Sequence, residues 1–401
     1  MVSLADVLEA RERIASVIHR TAILPSRTFS EMSGNDIFLK PENLQKTGSF
    51  KLRGAYNRIA TLTPEEKAKG VIASSAGNHA QGVAYSAAAH GVPSTIVMPQ
   101  RAPVAKVMAT QAYGAEVVLH GVVYDDAYRK ARELQEAEGF TFLHPFNDPM
   151  VIAGQGTIAL EMLEDLPELD ALVIPIGGGG LAAGMAVAAK ALKPSIRIIG
   201  VEVERFDAMR QSVLDGDLVT VKAGSTLADG IAVKKPGDLT YGLIRHYVDD
   251  IVTVNEEETA EAILLLLERA KWLVEGAGAV SVAAAVERKL GLSGRKVGLV
   301  LSGGNIDINV LSIIIEKGLI QAGRKLRIRT ILQDKPGQLA QVMEVLAGLG
   351  SNIRSIHHDR YAEEVELGCV QVELESETRN RDHAEDVLKA LKQHGFIVKE
   401  G

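Results

Sequence analysis

Short, β-branched apolar runs alternate with stretches whose apolar residues recur at helical spacing, and no other feature limits the fold of this chain as much. The runs at 71–74, 94–98, 115–119, 171–176, 196–201 and 296–301 are brief and bounded by Gly or Pro. Helical patterns lie between them, for example at 104–113 and 127–137. A strand–helix–strand rhythm of this kind builds parallel sheets covered on both faces. Ligands in such sheets bind beyond the carboxyl ends of the strands, so chemistry is expected in the loops that follow them.

The chain has 401 residues, enough for two or three domains, and 46 % of them are apolar against 24 % charged, so a packed core rather than disorder is expected. The net charge of −7 argues against a general nucleic-acid binder, which needs a basic face. No apolar stretch approaches the roughly 18 residues of a membrane span, and the N-terminus lacks a basic region followed by an apolar core. No membrane and no nucleic-acid partner is therefore expected, and a cytoplasmic location is. The single cysteine, Cys369, lies in an apolar run and reads as a small core residue, with no disulfide or cysteine-rich metal site possible within the chain.

The pattern changes after residue 320. A short polar linker at 321–326 leads into a compact unit at 327–401, whose strand, helix, strand, strand, helix, strand order is a ferredoxin-like βαββαβ plan. This unit carries 10 Lys+Arg against 13 Asp+Glu, so it lacks the basic surface of an RNA-binding version.

Four loops concentrate chemistry-bearing residues. In Ser49-Phe50-Lys51-Leu52-Arg53-Gly54, Lys51 opens a helical pattern, where the helix dipole and partial burial both disfavour its charge and leave an amine suited to carbonyl chemistry. A solvated first-turn lysine is the plainer alternative. Ser74-Ser75-Ala76-Gly77-Asn78-His79 follows a strand and starts a helix, a cradle for a carboxylate or phosphate. Simple capping explains one of its serines only, and His79 reads as a structural hydrogen-bonder. Gly177-Gly178-Gly179-Gly180-Leu181 precedes a small-residue helix, and its backbone cost is offset if the amides approach an anion closely. A dinucleotide fingerprint through Gly178, Gly180 and Ala183, with Glu202 as the ribose partner, competes with a single-phosphate site but leaves Lys51 and the Ser74–His79 loop unexplained. Ser302-Gly303-Gly304-Asn305 supplies a hydroxyl at the mouth of the same sheet, beyond the ordinary turn-and-cap reading.

A lysine, an Asn loop, a tetraglycine and a Ser loop, in that order, resemble the pyridoxal-phosphate enzymes of the tryptophan-synthase β-like class, fold type II. Within that class the chain is similar to the threonine ammonia-lyases. The resemblance implies an α/β catalytic domain over 1–320 with a smaller subdomain inserted at about 47–145, and pyridoxal 5'-phosphate as cofactor. It implies Lys51 as covalent anchor and as the base for the Cα proton, Phe50 against the cofactor ring, and Asn78 on the ring oxygen. The amides of Gly177, Gly178, Gly179, Gly180 and Leu181 would hold the phosphate, and Ser302 would meet the pyridine nitrogen. Ser75, Ala76, Gly77, Asn78 and His79 would take the substrate carboxylate. Serine racemases of this class carry a second serine where this chain has Ala76, which favours elimination. Relatives often bind a divalent metal; Glu202 fits its first ligand, but Ala208 stands where an acidic one is expected, so no metal is assigned. The unit at 327–401 looks like an ACT domain, which implies an amino-acid effector near Asp334, Gly337, Leu339, Asn352 and Ile353 and a homodimer or homotetramer. L-Threonine is the substrate the resemblance implies, with L-serine second. Serine dehydratase or racemase, hydroxyaspartate ammonia-lyase, and a non-catalytic amino-acid sensor are the alternatives.

Overall fold

The computed structural model describes residues 2–222, 224–363 and 365–400. Ten strands belong to the first of two compact units, which divide between Asp307 and Ile308. They are β1 (Leu24–Pro25), β2 (Asp36–Pro41), β3 (Val71–Ser74), β4 (Ser94–Met98), β5 (Glu116–Leu119), β6 (Thr141–Phe142), β7 (Ala171–Pro175), β8 (Arg197–Val203), β9 (Asp250–Val254) and β10 (Lys296–Leu301). The larger sheet has the order β1-β2-β10-β7-β8-β9 and is parallel except for its edge strand β1. The smaller sheet, β5-β4-β3-β6, is entirely parallel. Central strands such as β3, β4 and β7 are buried along their whole length, as strands with helices on both faces must be, and this is why they read as unbroken apolar runs.

The sequence pattern locates β3, β4, β5, β7, β8 and β10 but not β1, β2, β6 or β9. β1 and β6 have two residues each, too short for any periodicity, while β9 is half-buried at an edge. The helix Pro149–Asp165 forms the spine of the unit, with nearly every residue from Val151 to Leu163 buried. Its N-terminus is set by Asp148, whose Oδ1 accepts from the N–H groups of Met150 and Val151, and by Pro149 at the first helical position.

The second unit comprises the helix Ile308–Gln321 and a four-stranded antiparallel sheet with the order β12-β13-β11-β14, where β11 is Lys325–Gln333, β12 Asn352–Asp359, β13 Cys369–Glu377 and β14 Val398–Glu400. The helices Gln338–Gly348 and Arg381–Gln393 complete the strand-helix order and bury Val342, Leu346, Val387 and Leu391 against Ile328, Val372 and Leu374. The helix before the 321–326 segment is grouped with this sheet, and Lys325 pairs with both Glu316 and Glu375. Cys369 is half-buried rather than in the core, because it sits at the open end of β13 opposite Gln333. No helix among the described residues is long and apolar enough to cross a membrane.

Candidate active site

The loops after β2, β3, β7 and β10 converge on one cavity of about 1040 Å³ in the first unit. Lys51 is the first residue of the helix Lys51–Ala60, and its side chain turns inward. Its Nζ donates to the Pro145 carbonyl (3.1 Å) and lies 5.2 Å from the centre of the Phe50 ring. Burial pushes the amine down to about 8, partly opposed by the negative charge of Glu275. The side chain lies within the cavity and its burial favours the neutral amine, which supports the carbonyl-chemistry reading over a solvated first-turn lysine.

The helix that carries Lys51 is anchored by a buried ionic cluster. Arg53 uses all five of its N–H donors. Nε and Nη2 each donate at 2.8 Å to the carboxylate of Glu42. Nη1 and Nη2 donate to that of Glu161 at 2.6 and 3.0 Å, and Nη1 also to Thr157 Oγ1 at 3.1 Å. Lys40 pairs with the same Glu161, and the Thr21 hydroxyl donates to Glu42 Oε1 (2.7 Å). Two positive and two negative groups thus balance inside the protein, and Glu42, which burial alone would raise, is held below its ordinary value by Arg53.

The glycine loop presents its backbone to the cavity. The helix Gly180–Leu192 begins there without a side-chain cap, and the N–H groups of Gly178, Gly179, Gly180 and Leu181 have no partner among the described residues. A Cβ at Gly178 would stand 2.2 Å from the Phe146 ring, so only glycine allows the chain to pass here with its amides facing inward. Four amides at a helix N-terminus form an anion cradle.

A second helix N-terminus faces the same space. The helix Asn78–Ala89 also starts uncapped, and the N–H groups of Asn78, His79 and Ala80 are likewise without partners among the described residues. Ser75 Oγ accepts from the N–H of Gly77 (3.2 Å) and stabilises the turn. The His79 ring points away: its Nε2–H donates to the Leu143 carbonyl (2.9 Å), and burial pushes its pKa down to about 3. His79 can therefore contribute a backbone N–H, while its side chain is structural. His144 Nδ1 accepts from the N–H groups of Phe146 and Asn147, and burial next to the Lys51 charge lowers it to about 4. Both imidazoles are neutral at physiological pH. Ser302 Oγ, buried at the cavity wall, donates to the Ala277 carbonyl (3.1 Å) and can turn that hydrogen toward a ligand.

Three residues at or behind the cavity wall escape sequence reasoning. Phe146 packs beneath the glycine loop, Glu275 accepts at Oε1 from Asn78 Nδ2 (2.6 Å), and Asn305 Nδ2 donates to Asn78 Oδ1 (2.6 Å). Burial raises Glu275 to about 7. Only the Ser302–Asn305 motif carries a signal, and it draws attention to the serine. Glu202 takes a different part from either sequence reading: its carboxylate accepts from the N–H groups of Met209 (3.0 Å) and Arg210 (2.8 Å), so it caps the helix Ala208–Asp215.

These groups fit a phosphorylated pyridine aldehyde. The cavity offers a desolvated amine, a set of unpaired amides for a dianion, an aromatic edge, a hydroxyl, and the buried Ser74 Oγ, which has no partner among the described residues. A family model described as pyridoxal-phosphate dependent enzyme matches residues 14–303. The chain is 52 % identical over 399 residues to L-threonine ammonia-lyase of Thermotoga maritima, spanning 100 % of this chain and 99 % of that protein. Among solved structures, the processed form of threonine deaminase isoform 2 from Solanum lycopersicum matches with a TM-score of 0.75 and 37 % identity, over 78 % of this chain and 86 % of that one. Maize serine racemase matches with a TM-score of 0.75 and 38 % identity, over 80 % of this chain and 98 % of that one. With a desolvated lysine facing two amide cradles and this similarity from end to end, the chain belongs to the pyridoxal-phosphate-dependent enzymes, in the threonine ammonia-lyase family.

Proposed function

We propose that this chain deaminates L-threonine to 2-oxobutanoate and ammonia, and L-serine to pyruvate and ammonia, by β-elimination of water followed by hydrolysis of the product. The observation that carries the reading is the buried Lys51 amine, lowered to about 8, in one cavity with the unpaired amides of the glycine loop and with Asn78. Bound pyridoxal phosphate supplies the electron sink for the pair left when the Cα proton departs. Lys51 anchors that cofactor and, once released from it, accepts the Cα proton at Nζ. The Gly177–Leu181 amides would hold the phosphate, Phe50 would flank the ring, and Ser302 would turn its hydroxyl to the pyridine nitrogen. A neutral partner there would leave that nitrogen unprotonated. Ser75, Ala76, Gly77, Asn78 and His79 hold the substrate carboxylate, chiefly through the unpaired N–H groups of the helix Asn78–Ala89. Steady-state kinetics with threonine and serine test the assignment; cofactor-loaded protein that forms neither 2-oxobutanoate nor pyruvate would end it.

Uptake of cofactor by the apoenzyme requires the neutral Lys51 amine. The uptake rate is therefore expected to rise about tenfold per pH unit below the lowered pKa and to level off above about 8. Stopped-flow absorbance across pH 6–10 measures this, and a rise that continues toward 10.5 would show a solvated lysine. The position of Ala76 makes a second expectation. Ala76→Ser places a hydroxyl beside the substrate, and chiral analysis of recovered serine should reveal racemisation absent from the parent; retained L-configuration throughout would refute the role given to this position.

The βαββαβ order of the second unit supports its reading as an ACT domain, but the expected linker at 321–326 shrinks to residues 322–324, because the helix runs to Gln321 and the first strand begins at Lys325 rather than at 327. We propose an amino-acid effector near Asp334, Gly337, Leu339, Asn352 and Ile353, in a homodimer or homotetramer. Gly337 is left-handed (φ +92°) and starts the helix Gln338–Gly348 without a side-chain cap, while Asp334 is held by Arg360 through two hydrogen bonds. Repeating the kinetics with isoleucine and valine tests the effector site.

A further inference from the structure

Asn78 is held from both sides. Its Nδ2 donates to Glu275 Oε1 at 2.6 Å, and its Oδ1 accepts from Asn305 Nδ2 at 2.6 Å. The second hydrogen of Asn305 Nδ2 goes to the Thr47 carbonyl (2.9 Å), so Asn305 is itself fixed to the loop before Lys51. Glu275 is fixed through its backbone, whose N–H donates to the Gly303 carbonyl (3.0 Å). Rotating the Asn78 amide by half a turn would set donor against donor at Asn305 and oxygen against carboxylate at Glu275. Of the two Nδ2 hydrogens of Asn78, one is used by Glu275 and one remains for the cavity. Gly303 shows that the loop is shaped around this contact. A Cβ there would lie 2.3 Å from Glu275 Oε1 and 3.0 Å from Asn78 Nδ2.

We propose that Glu275 and Asn305 are positioning residues for the lyase reaction: together they fix the rotation of the Asn78 carboxamide, so that its remaining Nδ2 hydrogen is held for the ring oxygen of the cofactor. This rests on the assignment of Asn78 to the cofactor. The ring oxygen lies beside the aldehyde carbon that Lys51 engages, so a misaimed amide alters how the cofactor sits before any substrate arrives. Neither Glu275 nor Asn305 has to touch the substrate to act in this way. Asn305 acts through this amide alone, whereas Glu275 also sets its charge against Lys51, so convergence is tested through Asn305.

The test is titration of apoenzyme variants with pyridoxal phosphate, reading Kd and the near-visible absorption maximum. Asn78→Ala is expected to weaken binding about 30-fold and to shift the band. Glu275→Ala and Asn305→Ala should each weaken it about tenfold with a band shift in the same direction. Glu275→Gln keeps an acceptor for Asn78 and should keep the band at the parent wavelength, in contrast to Glu275→Ala. Asn305→Ala added to Asn78→Ala should cost nothing further. Additive losses in that double variant would overturn the proposal, as would a parent-like band in both Glu275→Ala and Asn305→Ala. Should Glu275→Ala fail to fold, Asn305→Ala and Glu275→Gln decide alone. If Asn78→Ala itself leaves Kd and spectrum unchanged, the assignment of Asn78 falls, and this proposal with it. A spectral change in Asn78→Ala without one in Asn305→Ala and Glu275→Ala removes the positioning role only.

Discussion

Lys51→Ala is expected to lower turnover with threonine by about 10⁴-fold or more while leaving the fold intact. In the proposed mechanism one residue supplies both the anchor and the base, so its loss removes both at once. The neighbouring imidazoles are unsuited to replace it: His79 is tied to the Leu143 carbonyl, and His144 accepts two backbone N–H groups at Nδ1. Stability follows from the same observation that defines the site. Because burial lowers the Lys51 pKa from 10.5 to about 8, the protonated amine at pH 7 is less favourable in the folded chain than in the unfolded one. Removing it relieves that cost, which offsets the small void left behind. Alanine also extends the helix Lys51–Ala60 without penalty. The melting temperature of the apo variant should equal or exceed that of the parent. Borohydride treatment of the loaded parent followed by peptide mass mapping should place the cofactor on the peptide containing Lys51. Substantial 2-oxobutanoate production by Lys51→Ala, or a fixed adduct on another lysine, would remove the foundation of the mechanism.

Arg53→Met is expected to have the largest effect on stability of any single change near the site. Methionine fills much of the same volume but offers no donor, and the carboxylates of Glu42 and Glu161 would lose, with Thr157, all five hydrogen bonds that Arg53 donates. Only Lys40 would remain against two buried negative charges. Breaking a buried ion pair on one side costs about 3–5 kcal/mol, because the abandoned charge stays desolvated. Thermal unfolding of the first unit should shift down by roughly 5–8 °C, and expression should fall. Replacing Arg53, Glu42, Glu161 and Lys40 together by apolar residues of similar volume should recover more than half of that loss, since no charge is then stranded. A melting temperature for Arg53→Met within about 2 °C of the parent, measured by calorimetry on the apoenzyme, would contradict the view that this cluster holds the Lys51 helix in place.

The cluster also shows why part of the site was legible in the sequence and part was not. Lys51, Asn78, Gly177–Gly180 and Ser302 each lie in a short segment that carries its own signal: a strand end, a run of glycines or serines, and a helix start. The physical demand behind each signal is local, since a helix N-terminus that binds an anion needs small residues and free amides within about four or five positions. Glu275 carries no such mark. It follows Val274 and precedes a run of Gly and Ala, and nothing in that segment distinguishes it from a capping residue until Asn78 is seen 2.6 Å away. Glu202 was misleading for the related reason that its position near the end of β8 suits a ribose or metal ligand, whereas the chain folds back so that Glu202 meets the N–H groups of Met209 and Arg210.

What the sequence determined by itself is most of the parallel strands, the loops at their carboxyl ends, and the ferredoxin-like order of the last segment, because backbone propensity, apolar period and turn chemistry act over fewer than about a dozen residues. The tertiary structure alone decided which charges neutralise one another and which way the Asn78 amide faces. Arg53 reaches across 108 positions to Glu161, and Asn78 across 197 to Glu275 and 227 to Asn305. Electrostatic compensation and amide orientation depend on distance in space and on exclusion of water, and neither quantity is written in the spacing of residues along the chain.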